Sequence, residues 1–137
     1  MHHHTINTLD PESIGLIEGM IGEYMELFTS KQFNFCADET FDLGKGKSKA
    51  AVEEKGRGRI YIDYVKKLAD FVISKGRRPM FWGDVILGFP ELLKDLPEEI
   101  ICLNWDICGT SGKRRRCGCT TRAQPSIAAP AAAHGTS

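Results

Sequence analysis

The chain has 137 residues, of which 42% are hydrophobic, and its 18 basic and 18 acidic side chains leave no formal net charge. This length and composition suit one domain with a modest core. The charge balance argues against a nucleic-acid partner, which usually requires a one-sided basic surface. No apolar run approaches the roughly 18 residues of a membrane span, so no membrane partner is predicted. Five irregularly spaced cysteines and no secretory signal favour a reducing, cytoplasmic location.

The first predicted elements are a helix and a short strand. Asp10-Pro11-Glu12 predicts a helix start, because a capping aspartate, a proline at the first helical position and an acidic first turn occur together. Apolar residues then recur at three- and four-residue spacing and predict one apolar face: Ile14, Ile17, Ile21, Tyr24 and Phe28. The apolar run 33–37 predicts a buried strand that leads directly into Asp38 and Glu39.

The same order of helix, strand and polar cluster then repeats. A helix is predicted over about 59–75, and the strands 79–82 and 100–103 follow, with Asp84 and Trp105 just beyond their ends. Strands that alternate with helices are expected to pair in parallel, which gives the α/β class. Because active sites of such folds gather at the carboxyl ends of the strands, the three clusters are expected to lie together.

Two adjacent carboxylates at a strand end can be held in different environments, which is how proteins separate an acid from a charge stabiliser. We expect Glu39 to be the acid and Asp38 to stay ionised, with Trp82 and Trp105 as an aromatic wall that also stacks on sugar rings. The alternative for an Asp-Glu pair is a solvated loop start or a helix cap. The placement after a buried strand, with two tryptophans at later strand ends, favours the site.

These segments resemble glycoside hydrolase family 20, the β-N-acetylhexosaminidases. Residues 33–40, Phe-Asn-Phe-Cys-Ala-Asp-Glu-Thr, look like the Asp-Glu strand of that family, and 41–49 are similar to a bacterial branch of it. Met-Phe-Trp-Gly-Asp at 80–84 and Leu-Asn-Trp at 103–105 look like the next two strands. The resemblance implies a partial TIM (β/α)8 barrel over 5–107, with about strands four to six of eight.

The resemblance also implies a retaining, substrate-assisted hydrolysis of an N-acetylhexosamine-containing glycan, through an oxazolinium intermediate and without a cofactor. Glu39 matches the general acid and base, and Asp38 matches the residue that orients the 2-acetamido group. Trp82 and Trp105 match aromatic walls around that group, and Asp84 is placed with them as a substrate-binding residue.

Other parts of the family pattern are not found in the chain. The early strand with the sugar-binding arginine and the last two strands are missing, so we expect the isolated chain to be inactive and to self-associate through open barrel edges. Many members carry a histidine before the Asp-Glu helix; His4 or His3 is either its remnant or part of a purification tag. The rival hypothesis is a non-catalytic truncated product, or a carbohydrate-binding remnant with no turnover.

Residues 108–137 are expected to lie outside the barrel, either as a disordered tail or as a segment made foreign by a reading-frame change or gene truncation. The basic run 113–116 is interpreted as solvated charge. Cys117 and Cys119 are too closely spaced for a usual zinc site, so no metal is predicted. The glycines of 44–48 lack the spacing of a phosphate-binding loop, and a mobile active-site loop is expected there.

Overall fold

The computed structural model describes residues 5–104. Its longer elements in that range, in chain order, are α1 (Pro11–Leu27), β1 (Gln32–Asn34), α2 (Lys49–Lys55), α3 (Arg57–Ser74), β2 (Arg78–Trp82) and β3 (Ile101–Leu103). Short 3-10 turns lie at Gly46–Ser48, Ile86–Gly88 and Pro90–Asp95. The predicted tail, 108–137, lies outside the described residues, as do His4, Trp105 and Asp106.

The three strands form one parallel sheet in chain order, with β2 in the centre. Phe33 of β1 lies opposite Pro79, and Phe81 of β2 lies opposite Cys102 of β3. The predicted α/β class with parallel strands is therefore confirmed. The carboxyl ends of all three strands meet at one edge of the sheet, which is the edge where the sequence places its acidic and aromatic residues.

The first strand ends earlier than predicted. The ladder of β1 stops at Asn34, whereas the sequence predicted a strand through Ala37. The cause is local backbone conformation, because Cys36 and Ala37 both have a φ of 67°, in the left-handed region that a strand cannot contain. Phe35 still donates its N–H to the carbonyl oxygen of Met80 at 3.0 Å, so the chain leaves the sheet between Phe35 and Ala37.

Helix α1 begins where the sequence predicts. Its capping residue, Asp10, accepts hydrogen bonds from the backbone N–H of Glu12 at 3.2 Å and from the hydroxyl of Ser13 at 2.8 Å. The predicted apolar face is correct for its first three positions and wrong for its last two. Met25 is buried, whereas Tyr24 and Phe28 are exposed, because α1 ends at Leu27 and the buried row continues from Ile21 to Met25.

Helix α3 is the central packing element of the described chain. One side packs on β2 in a core cluster of Tyr61, Ile62, Val65 and Phe81 with their neighbours. Its other side packs on α1 in a cluster of Ile21, Met25, Tyr64, Leu68 and Val72. Full burial of one such side chain contributes about 1.5–3 kcal/mol. Helix α3 therefore joins the strand that ends at the acidic and aromatic residues to α1 on its other side.

The ends of the two middle helices follow from different signals. Gly76, with a φ of 73°, stops α3 as predicted: its N–H bonds the carbonyl of Ile73, and the N–H of Arg77 bonds that of Val72. Helix α2, Lys49–Lys55, was not predicted; it is seven residues long, and the side chain of its capping residue, Ser48, makes no capping hydrogen bond. It packs against α3, and its Ala51 and Val52 pack against the core cluster that contains Leu43.

One face of α1 has no partner among residues 5–104. Leu16, Met20, Tyr24 and Leu27 follow one another at helical spacing, and all four are exposed. Within the same range, β1 and β3 each pair with a single strand, β2. None of the helices in this part of the chain has both the length and the hydrophobicity needed to cross a membrane.

Candidate active site

The candidate site lies at the carboxyl edge of the sheet. Asp38 and Glu39 follow β1, Trp82 is the last residue of β2, and Asp84 comes two positions later. The structure brings the ends of β1 and β2 together through a hydrogen bond at 3.0 Å from the backbone N–H of Glu39 to Oδ2 of Asp84. Of the predicted site residues, Asp38, Glu39, Trp82 and Asp84 can therefore be placed at one edge, and His4 and Trp105 lie outside the described residues.

The backbone around the carboxylates is strained. Within the segment 36–40, which we call the acidic turn, Cys36 and Ala37 have a φ of 67° and Glu39 has a φ of 51°. Such values are uncommon for residues other than glycine and cost about 1–3 kcal/mol each. They persist only where the surrounding structure holds them, and strained residues of this kind cluster at functional sites.

Hydrogen bonds hold the backbone of the first two residues of the acidic turn, Cys36 and Ala37. The amide oxygen of Asn34 accepts the N–H of Cys36 at 2.9 Å. The carbonyl oxygen of Cys36 accepts the backbone N–H of Trp82 at 2.9 Å. The carbonyl oxygen of Ala37 accepts the hydroxyl of Tyr61 at 2.9 Å. Strand β2 and helix α3 thus both fix the chain just before Asp38.

The exit of the acidic turn is held in the same way. Asp84 binds the N–H of Glu39, and the guanidinium of Arg57 donates to the carbonyl oxygen of Thr40 at 2.8 Å. The N–H of Phe41 bonds the carbonyl of Glu39 at 2.7 Å, which closes a tight turn. Four side chains, of Asn34, Tyr61, Asp84 and Arg57, therefore fix the backbone that carries both carboxylates.

Exposure distinguishes the two carboxylates. Glu39 is exposed, whereas Asp38, Trp82 and Asp84 are half-buried. Glu39 can therefore reach a ligand above the sheet edge, and Asp38 lies deeper. Among residues 5–104, Oδ1 of Asp84 and Oγ1 of Thr40 are buried without a hydrogen-bond partner, so Asp84 uses one carboxylate oxygen for Glu39.

The electrostatics agree with a cluster of negative charge under the acidic turn. Burial, and then the negative charges of Asp84 and Asp38 among its neighbours, raise the pKa of Tyr61 well above the ordinary tyrosine value. Desolvation, and then the charge of Asp38, raise the pKa of the Cys36 thiol, against an opposing hydrogen bond from Trp82. Because the pKa of Tyr61 is raised, its hydroxyl keeps its proton and is a hydrogen-bond donor throughout the neutral pH range.

Sequence reasoning missed Tyr61 and Arg57. Both lie on α3, far from the acidic turn in sequence, and Tyr61 occurs in an apolar helical pattern that indicates only core packing. A tyrosine that is buried usually needs a partner for its hydroxyl, and this is the one signal that could have singled it out. No three His, Cys, Asp or Glu side chains in the described range are grouped so that they could hold a metal ion.

Comparisons with known proteins agree with the motifs. No protein-family profile matches the chain. Human Hexosaminidase D is 26% identical over 134 aligned positions, which cover 83% of this chain and 27% of the human protein. The chain thus spans about a quarter of the length of that relative. The expected resemblance of this chain to the hexosaminidases is confirmed.

Two solved structures share the fold. The β-N-acetylhexosaminidase of Bacteroides fragilis NCTC 9343 matches 74% of this chain and 21% of its own, with a TM-score of 0.60 and 21% identity. Dispersin B matches 79% of this chain and 28% of its own, with a TM-score of 0.56 and 21% identity. The helices and parallel strands of residues 5–104 are therefore arranged as in part of these two proteins.

Proposed function

We propose that residues 5–107 are about strands four to six of a TIM (β/α)8 barrel of the glycoside hydrolase family 20 type. The complete barrel removes terminal β-linked N-acetylhexosamine from glycans. The observation that carries this proposal is the hydrogen bond between Glu39 and Asp84, which joins two neighbouring strand ends, in a chain related to a hexosaminidase. The carboxylates and Trp82 then lie at the edge where parallel α/β folds place their active sites.

In the proposed reaction, the carbonyl oxygen of the substrate's own 2-acetamido group attacks C1 and forms an oxazolinium ion. Glu39, which is exposed, donates a proton to the departing glycosidic oxygen. It then accepts a proton from the water that opens the oxazolinium ring, which retains the configuration at C1. Asp38 orients the acetamido nitrogen and stabilises its developing positive charge.

The remaining predicted residues form the wall of the proposed pocket. The backbone N–H of Trp82 donates to the carbonyl oxygen of Cys36 at 2.9 Å, and Trp82 is proposed as one wall of the pocket beside the acidic turn. Trp105 is proposed as the opposite wall around the acetamido group, and His4 as a further substrate contact. Asp84 is proposed as a further substrate-binding residue at the same edge of the sheet. These contacts would hold the acetamido oxygen close to C1 and so lower the entropic cost of its attack.

The chain alone is proposed to lack turnover, because it covers only 21–28% of the length of each of the three proteins compared above. Two features favour self-association of the chain. One is the exposed apolar face of α1, formed by Leu16, Met20, Tyr24 and Leu27. The other is the pair of strands β1 and β3, each of which pairs with β2 alone among residues 5–104. The second candidate is a non-catalytic truncated product or a carbohydrate-binding remnant with no turnover, and it is supported by this short span. Size-exclusion chromatography of the purified chain tests its self-association, and an assay of glycoside hydrolysis tests its lack of turnover.

The proposed function is tested in a complete barrel. The segment of the Bacteroides fragilis enzyme that matches this chain is replaced by residues 5–104, and hydrolysis of an aryl β-N-acetylglucosaminide is compared with that of the matching aryl β-glucoside. We expect turnover of the first substrate and none of the second, because only the first carries the acetamido nucleophile. A folded chimera that hydrolyses neither substrate, or hydrolyses both equally, would contradict the proposal.

A further inference from the structure

We propose that Tyr61 is a positioning residue for Glu39, through the hydrogen bond at 2.9 Å from its hydroxyl to the carbonyl oxygen of Ala37. The catalytic meaning of this contact rests on the function proposed above, whereas the contact itself is a property of the fold. Tyr61 lies 22 positions after Glu39 (61 − 39) on a different element, helix α3. Its hydroxyl contacts the backbone of the acidic turn, whereas the residue it helps to position, Glu39, is exposed.

The position of the hydroxyl is fixed by packing. Tyr61 is only 2% exposed, and it is among the largest fully buried side chains of the described range. It belongs to the cluster that also contains Ile62, Val65 and Phe81. Because protein interiors are close-packed, the ring has no space into which it can swing. A donor held in this way defines where the carbonyl oxygen of Ala37 must lie.

The acidic turn needs such a fixed contact. Cys36, Ala37 and Glu39 all have a positive φ, and an unconstrained chain of these residues would relax toward negative values. The peptide group between Ala37 and Asp38 is the pivot, since its rotation would redirect both carboxylates. The hydroxyl of Tyr61 holds that peptide group from one side, and Asp84 holds the N–H of Glu39 two residues later.

The electrostatic surroundings keep the contact in its donating form. Burial, and then the electrostatic influence of Asp84, Cys102 and Asp38, raise the pKa of the Tyr61 phenol, so the proton stays on the oxygen. The only role left to the hydroxyl toward a carbonyl oxygen is that of donor. Tyr61 therefore acts through the backbone of the acidic turn and does not exchange a proton with a substrate.

The test compares two matched variants of the full chain. Tyr61→Phe removes the hydroxyl that contacts Ala37, and Tyr64→Phe removes a hydroxyl from the same helix three residues later, where the side chain packs against α1. Amide hydrogen exchange is followed by NMR at Glu39 and at Phe81, with the amide proton shift of Glu39 as a second readout. Urea unfolding of both variants gives the global stability.

We expect Tyr61→Phe to accelerate exchange at Glu39 about tenfold or more and to move its amide proton shift, while Phe81 changes little. Tyr64→Phe should leave Glu39 unchanged. Equal exchange at Glu39 in the two variants would overturn the proposal. So would a uniform acceleration that includes Phe81, or a failure of Tyr61→Phe alone to fold, because either would assign the hydroxyl to global stability. None of these measurements requires turnover. They therefore test the positioning role of Tyr61 independently of whether the proposed function is correct.

Discussion

The backbone N–H of Glu39 donates a hydrogen bond to Oδ2 of Asp84, across 45 positions of sequence. This contact forms because β1 and β2 are parallel neighbours, so that the residues after their carboxyl ends lie at the same edge. The sequence alone indicated that Asp38, Glu39, Trp82 and Asp84 would share an edge. The structure adds that Asp84 holds the backbone of Glu39 itself.

Asp84→Ala should lower the free energy of unfolding by about 1–3 kcal/mol, because it leaves the N–H of Glu39 without its charged acceptor. Asp84→Asn keeps an acceptor oxygen in the same place and should lose less. Urea denaturation of the two variants measures the difference. If alanine were as stable as aspartate at this position, the hydrogen bond would contribute nothing to holding the acidic turn.

Phe81→Ala should lower the free energy of unfolding by about 3–5 kcal/mol, the usual cost of emptying a buried phenylalanine site. Phe81 is fully buried and stacks on Phe35, with ring centroids 6.2 Å apart and an interplanar angle of 10°. Phe41→Ala is the control, since Phe41 is 61% exposed, and it should change stability by about 0.5 kcal/mol or less. A similar decrease in the free energy of unfolding for both variants would contradict the position of Phe81 in the core.

Replacement of glycine by alanine should lower stability at Gly58 and raise it at Gly19. At Gly58, a Cβ would lie 2.6 Å from ring atoms of Phe89, so Gly58→Ala should destabilise the chain by about 1–3 kcal/mol. At Gly19, in α1, a Cβ would meet nothing within 4 Å. Gly19→Ala should therefore stabilise the chain by up to about 1 kcal/mol through helix propensity. Thermal melts of the pair measure both effects, and stabilisation at both positions would refute the packing of α3 on Phe89.

The cap of α1 should make stability depend on pH in the acid range. The hydroxyl of Ser13, and to a smaller extent the N–H of Glu12, lower the pKa of Asp10 below its ordinary value of 3.8. A depressed pKa stabilises the fold above pH 3.8, and this contribution is lost as the pH falls through the lower, folded-state pKa. Asp10→Asn should therefore be less stable than the original chain at neutral pH, and the difference in the free energy of unfolding should shrink as the pH falls below 3.8. A gap that stays constant from pH 7 to pH 2 would show that the charge of Asp10 has no role.

The sequence indicated those features that arise from local or periodic signals. The start of α1 at Asp10, the stop of α3 before Gly76 and the positions of the parallel strands all follow from residues close together in the chain. The early end of β1 could not be predicted, because the positive φ values at Cys36 and Ala37 depend on contacts from β2 and α3. Those contacts join residues far apart in sequence.

The candidate site shows the same division. The Asp-Glu pair and the residues after β2 stand out as motifs, because the reaction proposed for them requires side chains of particular types. Tyr61 and Arg57 do not stand out, since they act on carbonyl oxygens of Ala37 and Thr40, which any residue provides. Supporting residues of this kind are visible only once the helix is packed against the strand end.

The most direct measurement is the effect of Glu39→Gln on hydrolysis of the aryl β-N-acetylglucosaminide by the chimera that contains residues 5–104. Glu53→Gln is the matched control, since Glu53 is an exposed residue of α2 whose contact is a surface ion pair with Lys49. We expect Glu39→Gln to lower kcat by at least about 100-fold, the usual contribution of a general acid, and Glu53→Gln to leave it unchanged. Full turnover by the folded Glu39→Gln chimera would contradict the catalytic role of Glu39.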